Sequence, residues 1–121
     1  MPSLAALRVT IEPLEDGCVI RATGELDLDT VDRLRSPLDA ARWDRLTTLV
    51  DLSGVSFIDS AGLEVLLAAA RAADEEEWPW FMVNPSLPVM RLLDLTETQR
   101  LLPVVAPDWE GDAVLGPVLA G

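Results

Sequence analysis

The sequence predicts an α/β domain built on one mixed sheet of four to five strands, with three to four helices packed against it. Three observations predict it. Two strand-like segments flank a short turn near the start, which reads as an antiparallel hairpin. Helix-period and strand-period segments then alternate, which implies crossovers and parallel pairing. The chain has 121 residues and half of them are apolar, enough for one domain with a real core. There is no internal repeat and no linker long enough for a second domain. Residues 1–121 are therefore expected to form one domain, with a core from about 7 to 105.

Leu7-Arg-Val-Thr-Ile11 alternates apolar and polar, as a half-buried strand does. Glu15-Asp-Gly17 is a turn, and Cys18-Val-Ile-Arg-Ala22 is the second strand. Cys18 reads as a small hydrophobe, since no basic neighbour in sequence would activate its thiol. Gly24-Glu-Leu-Asp27 is expected to break this strand. Asp29 or Thr30 is expected to cap the first helix, whose inward stripe is Val31, Leu34, Leu38 and Ala41. Pro37 lies inside that stripe and must bend or divide the helix.

Leu46 to Leu52 is β-branched and apolar, the pattern of a central strand. Ser53-Gly54 is expected to turn the chain, with Val55, Phe57 and Ile58 plugging the end of the core. From Ser60 to about Ala73 the pattern is helical, with Leu63, Leu66, Leu67 and Ala70 on one face. Gly62 in its first turn lets another backbone or a partner come close. Asp74-Glu-Glu-Glu77 opposes the helix dipole, so a frayed end is expected. Trp80 to Val83 is the next strand. Trp78 and Trp80 are candidates either for partner anchors or for covers of the sheet edge. Asn84-Pro85 is a turn, and Pro88 to Leu95 a short helix with Val89, Leu92 and Leu93 inward. Leu101 to Val105 is a last strand, which Pro103 assigns to an edge. Pro107 to Gly111 is expected to open a final helical turn, and the tail from Asp112 to Gly121 to be loose.

Composition narrows the chemistry. With no histidine there is no Ser-His triad and no His metal ligand. All nine cationic residues are arginine, so Schiff-base chemistry and a lysine-dependent P-loop are out. A single cysteine excludes an intramolecular disulfide and a Cys-rich metal site. The net charge of −12 argues against direct nucleic-acid binding and against anionic lipid; it favours a partner with a basic surface or, equally, only keeps the protein soluble. No apolar run is long enough to insert in a membrane, and Met1 to Leu7 lacks the basic n-region of a secretion signal, so a cytoplasmic location is expected.

The candidate site is the junction of strand and helix around Asp59 and Ser60. A helix start offers unpaired N–H groups and partial positive charge, which suit a carboxylate or a phosphate. Asp59 is expected to be the N-cap there, and Ser60 a cap residue or a phosphoacceptor. A serine hydrolase is excluded for want of a base. Gly54-Val-Ser56-Phe-Ile58 also lacks the second glycine of a nucleophile elbow.

Three segments resemble the STAS domain of bacterial anti-sigma factor antagonists: Thr23-Gly-Glu-Leu-Asp27, Val55-Ser-Phe-Ile-Asp-Ser-Ala-Gly-Leu63, and Val83-Asn-Pro-Ser-Leu-Pro-Val-Met-Arg-Leu-Leu-Asp-Leu95. The resemblance implies a non-enzymatic regulator without a cofactor. Its anti-sigma factor partner would double as a serine kinase and phosphorylate Ser60. The unphosphorylated form would bind that partner and free a sigma factor. Phosphate would block binding, and a serine phosphatase would restore it. Asp27 and Asp59 match acids beside the family's phosphorylation site. The partner-facing set is then Glu25, Asp27, Asp59, Ser60, Ala61 and Gly62. For Asp27 a plain turn acid is an equal reading, and Glu25 also reads as a solvated acid. The resemblance leaves open a monomer or a weak dimer. It also allows an alternative: an assembly module needing no phosphate, such as a cytoplasmic subunit of a lipid-transport complex. Three departures stand out. Ala61 replaces a second hydroxyl residue, Glu97 follows Leu95-Thr96 where a Gly turn is usual, and Asp74 to Trp80 replaces a Gly-rich turn.

Overall fold

The computed structural model describes residues 6–105. The order is β1 (Arg8–Leu14), β2 (Gly17–Leu26), α1 (Asp32–Trp43), β3 (Thr47–Ile58), α2 (Ser60–Glu76), β4 (Trp80–Val83), α3 (Leu87–Thr96), a 3₁₀ turn (Gln99–Leu101) and β5 (Val104–Val105). The sheet runs β1-β2-β3-β4-β5 in sequence order. β1 is antiparallel to β2, and the other neighbours are parallel. Consecutive parallel connections of one hand put their helices on one face of a sheet. The inward residues of all three helices accordingly join Ile20, Val50, Leu52 and Met82 in a single core. Val19, Leu49 and Val83 form a smaller cluster on the opposite face.

The predicted architecture and element order hold, and several local expectations are corrected. β2 does not break at Gly24-Glu-Leu-Asp27 but stays paired to Leu26. β3 does not turn at Ser53-Gly54 but continues to Ile58. The cause is a pair of register shifts in which β3 takes one residue more than β2. A bulge moves the inward positions out of strict alternation, so Leu52, Val55 and Ile58 are buried at three-residue steps. Phe57 consequently faces out and plugs nothing. Gly54 is needed for space rather than for a turn: a Cβ there would lie 2.7 Å from Thr23 Oγ1.

The predicted stripe of α1 is buried as expected, and Pro37 does not divide the helix. The buried side of α2 is Gly62, Leu63, Val65, Leu66, Ala69 and Ala72, while Leu67 and Ala70 are only half-buried. The buried face thus includes Gly62, which packs against Leu26 and Ile58. The acidic end of α2 is not frayed. Glu76 is its last residue, and both carboxylate oxygens accept from Arg42 Nε (3.1 and 3.0 Å). Arg45 donates to the Glu76 carbonyl (2.6 Å). Glu77 then closes the helix in the left-handed conformation at φ 54°. The last strand is only Val104–Val105, at the sheet edge as Pro103 requires. The readings for Pro107 to Gly111 and for the tail from Asp112 lie outside the described residues.

Candidate functional site

β2 and β3 run parallel and end side by side, with Leu26 opposite Ile58. The next residues are Asp27 and Asp59, so the fold brings two acids 32 positions apart in sequence to one rim. Ligand and partner sites in such sheets gather beyond the carboxyl ends of the strands.

Asp59 is the N-cap of α2, with extended backbone. Its Oδ1 accepts from Ala61 N (2.9 Å) and Gly62 N (3.1 Å). Its Oδ2 accepts from Leu28 N (3.3 Å), and its own N–H donates to the Leu26 carbonyl (3.2 Å). One carboxylate therefore ties the start of α2 to the loop after β2. The cap also alters the picture of an open anion site at the helix mouth. Ala61 and Gly62 N–H already serve Asp59, so a phosphate on Ser60 would meet a carboxylate and not a ring of free donors.

Ser60 is the first residue of α2 and is exposed. The residue is thus open to solvent at the mouth of the helix. Gly62 sets where it stands. A Cβ at Gly62 would lie 2.8 Å from both the Leu26 carbonyl oxygen and Leu26 Cγ, and 2.9 Å from Ile58 Cγ1. Only glycine lets α2 begin this close to β2. Gly62 is buried and Ala61 half-buried, so of the two only Ala61 presents surface at the rim.

Asp27 builds the turn into α1. Its Oδ1 accepts from Asp29 N (3.0 Å) and Thr30 N (3.1 Å). Its carbonyl accepts from Val31 N (2.9 Å). Thr30 Oγ1 accepts from Asp27 N (3.0 Å) and donates to the Glu25 carbonyl (2.7 Å). No side chain caps α1 itself, contrary to the expectation for Asp29 or Thr30; Asp27 does that work one turn earlier. Asp27 and Glu25 both remain half-exposed at the rim.

The two candidate anchors Trp78 and Trp80 are each 2% exposed and belong to the core. The Trp78 indole donates to the Leu46 carbonyl (2.8 Å). Cys18 is buried, and loss of solvent raises its thiol pKa, with the hydrogen bond to Thr48 pulling the other way. Sequence reasoning passed over Leu28, which follows Asp27 and is 75% exposed, and Trp43, 87% exposed at the far end of the domain. The signal for Leu28 was present: an apolar residue between two acids on a loop.

The family model described as "Mlab, STAS domain" matches residues 9–103. This chain belongs to the STAS domain family. It is 33% identical over 96 residues to an anti-sigma F factor antagonist of Lysinibacillus sphaericus, covering 69% of this chain and 81% of the relative. The crystal structure of an anti-sigma factor antagonist from Mycobacterium paratuberculosis superposes with a TM-score of 0.77 at 23% identity, over 98% of this chain and 99% of that one. The Bacillus cell fate determinant SpoIIAA in its phosphorylated form gives a TM-score of 0.67 at 20% identity, covering 92% and 99%. At these identities the two structures establish a shared fold. No described helix is long and apolar enough to cross a membrane.

Proposed function

We propose that this protein is an anti-sigma factor antagonist, a cytoplasmic non-enzymatic regulator switched by phosphate on Ser60. The observation that carries the reading is an exposed serine at the first position of α2, directly after a capping aspartate. It stands in a chain 33% identical to an anti-sigma F factor antagonist. The unphosphorylated protein binds an anti-sigma factor that is also a serine kinase, and so releases a sigma factor. The contact surface is Ser60 with its half-exposed neighbours Glu25, Asp27, Asp59 and Ala61. Gly62 holds the surface in register from below.

The off state follows from charge. Phosphate adds about −1.5 to −2 at neutral pH. Asp59 and Asp27 already line the rim, and Asp59 already uses the nearest helix N–H groups. The added charge is therefore repelled locally and projects into the partner. The block needs little refolding, because no described hydrogen bond of the cap uses the Ser60 hydroxyl. A serine phosphatase reverses it.

The test is to incubate the protein with ATP and an anti-sigma factor kinase from the same genome, then map phosphate by mass spectrometry. Label is expected on Ser60 and absent from Ser60→Ala. Label elsewhere, persisting in Ser60→Ala, would count against the switch. The alternative, an assembly subunit that uses no phosphate, would instead bring down a transporter ATPase on affinity capture.

A further inference from the structure

Two large apolar residues on the segments that lead to the rim are exposed: Leu28, whose N–H reaches Asp59, is 75% exposed, and Phe57, three residues before Ser60, 48%. Neither is loosely held. The Leu28 N–H donates to Asp59, and its loop is closed by the bonds joining Asp27, Thr30 and Glu25. Phe57 lies in the paired part of β3, opposite Glu25 and two residues before Asp59. Burying side chains whose backbone is already fixed costs little ordering entropy. Asp27 and Asp29 flank Leu28 in sequence and Asp59 follows Phe57 by two residues, on a chain of net charge −12. Apolar anchors within a charged rim are the layout of an interface whose energy is concentrated in a few residues.

Resting on the reading of Ser60 above, we infer that Leu28 and Phe57 are the anchors by which the serine kinase docks. The matching face of the kinase is an apolar recess flanked by arginine or lysine. The anchors are separate from the hydroxyl that takes the phosphate. They therefore serve two encounters: the brief one in which Ser60 is phosphorylated, and the lasting one in which the unphosphorylated protein holds its partner. Phosphate weakens the second by charge while leaving the apolar contact intact.

The test compares Leu28→Ser, Phe57→Ser and Trp43→Ser with the unaltered protein, using the anti-sigma factor kinase from the same genome. Trp43 is more exposed than either anchor, at the end of α1 farthest from Ser60, so its variant controls for loss of a surface hydrophobe. All three sites are exposed, and equal melting temperatures verify that the fold is kept. Affinity without ATP is expected to fall about tenfold or more for Leu28→Ser and for Phe57→Ser. The KM for phosphorylation of Ser60 should rise by a similar factor with kcat unchanged, as for a contact made equally in ground and transition states. Leu28→Met should restore both. Trp43→Ser should change neither. Anchor variants that bind as well as the unaltered protein, with Ser60 still phosphorylated, would overturn the inference and leave the switch standing. So would an equal loss in Trp43→Ser. An unaltered protein that neither binds the kinase nor takes label at Ser60 would bring down both readings.

Discussion

At its start, α2 is fixed by close packing and backbone bonds. Gly62 lies against Leu26 and Ile58, and Asp59 bonds two helix N–H groups and the loop after β2. At its end the same helix is fixed by surface charge. Arg42 and Arg45 hold Glu76, and Glu77 takes a left-handed conformation that glycine would adopt without strain. The first arrangement tolerates no change of shape. The second tolerates change of sequence and responds to pH and salt. The end that carries Ser60 is the rigid one, which suits the proposed role of Ser60 as a phosphoacceptor held in a fixed place.

This contrast can be broken at the rigid end first. Gly62→Val forces its side chain into the Leu26 carbonyl. Overpacking of this kind typically costs about 1–3 kcal/mol, and the backbone contact puts this variant at the top of that range. Urea denaturation should report it, together with loss of kinase binding. Asp59→Ala removes the cap and should cost about 1–2 kcal/mol. It should also raise hydrogen exchange at Leu28, Ala61 and Gly62, and a variant that exchanges like the unaltered chain would refute the capping role.

At the tolerant end the sign reverses. Glu77→Gly relieves a left-handed residue, at some cost in chain entropy, and should stabilise by roughly 0.5–1 kcal/mol. The bond to Arg42 holds the Glu76 carboxyl below its ordinary value. Its folded pKa lies below the unfolded one. The stabilisation is therefore present above about 4.3, the unfolded value, and is lost as pH falls through the folded value. Arg42→Ala should flatten that acid limb of the stability curve and leave a small, salt-sensitive loss near neutrality. An unchanged acid limb would show that the pair contributes nothing.

The same two ends show what the sequence made legible. The order of elements, the stripe of α1 and the cap at Asp59 follow from local periodicity and residue chemistry, and those were read correctly. The continuation of β3 past Gly54 was hidden because two bulges replaced alternation by three-residue steps. Fraying at Glu76 was expected from its own helix alone. The bond that prevents it comes from Arg42, 34 positions away. Likewise the tryptophans at 78 and 80 look alike on paper to the exposed one at 43, and only packing separates them. The site was legible where its residues are neighbours in sequence, from Asp59 to Gly62. The approach of Asp27 and Leu28 depended on the register of β2 against β3. That register follows from pairing between distant segments.

The most direct test is the affinity of the purified protein for the proposed anti-sigma factor kinase, measured with Ser60 unmodified and with Ser60 fully phosphorylated. Phosphate is expected to weaken binding by at least about tenfold, within the range usual for such couplings, while the melting temperature barely moves. Equal affinity of the two forms would contradict the switch, whatever residue the kinase labels.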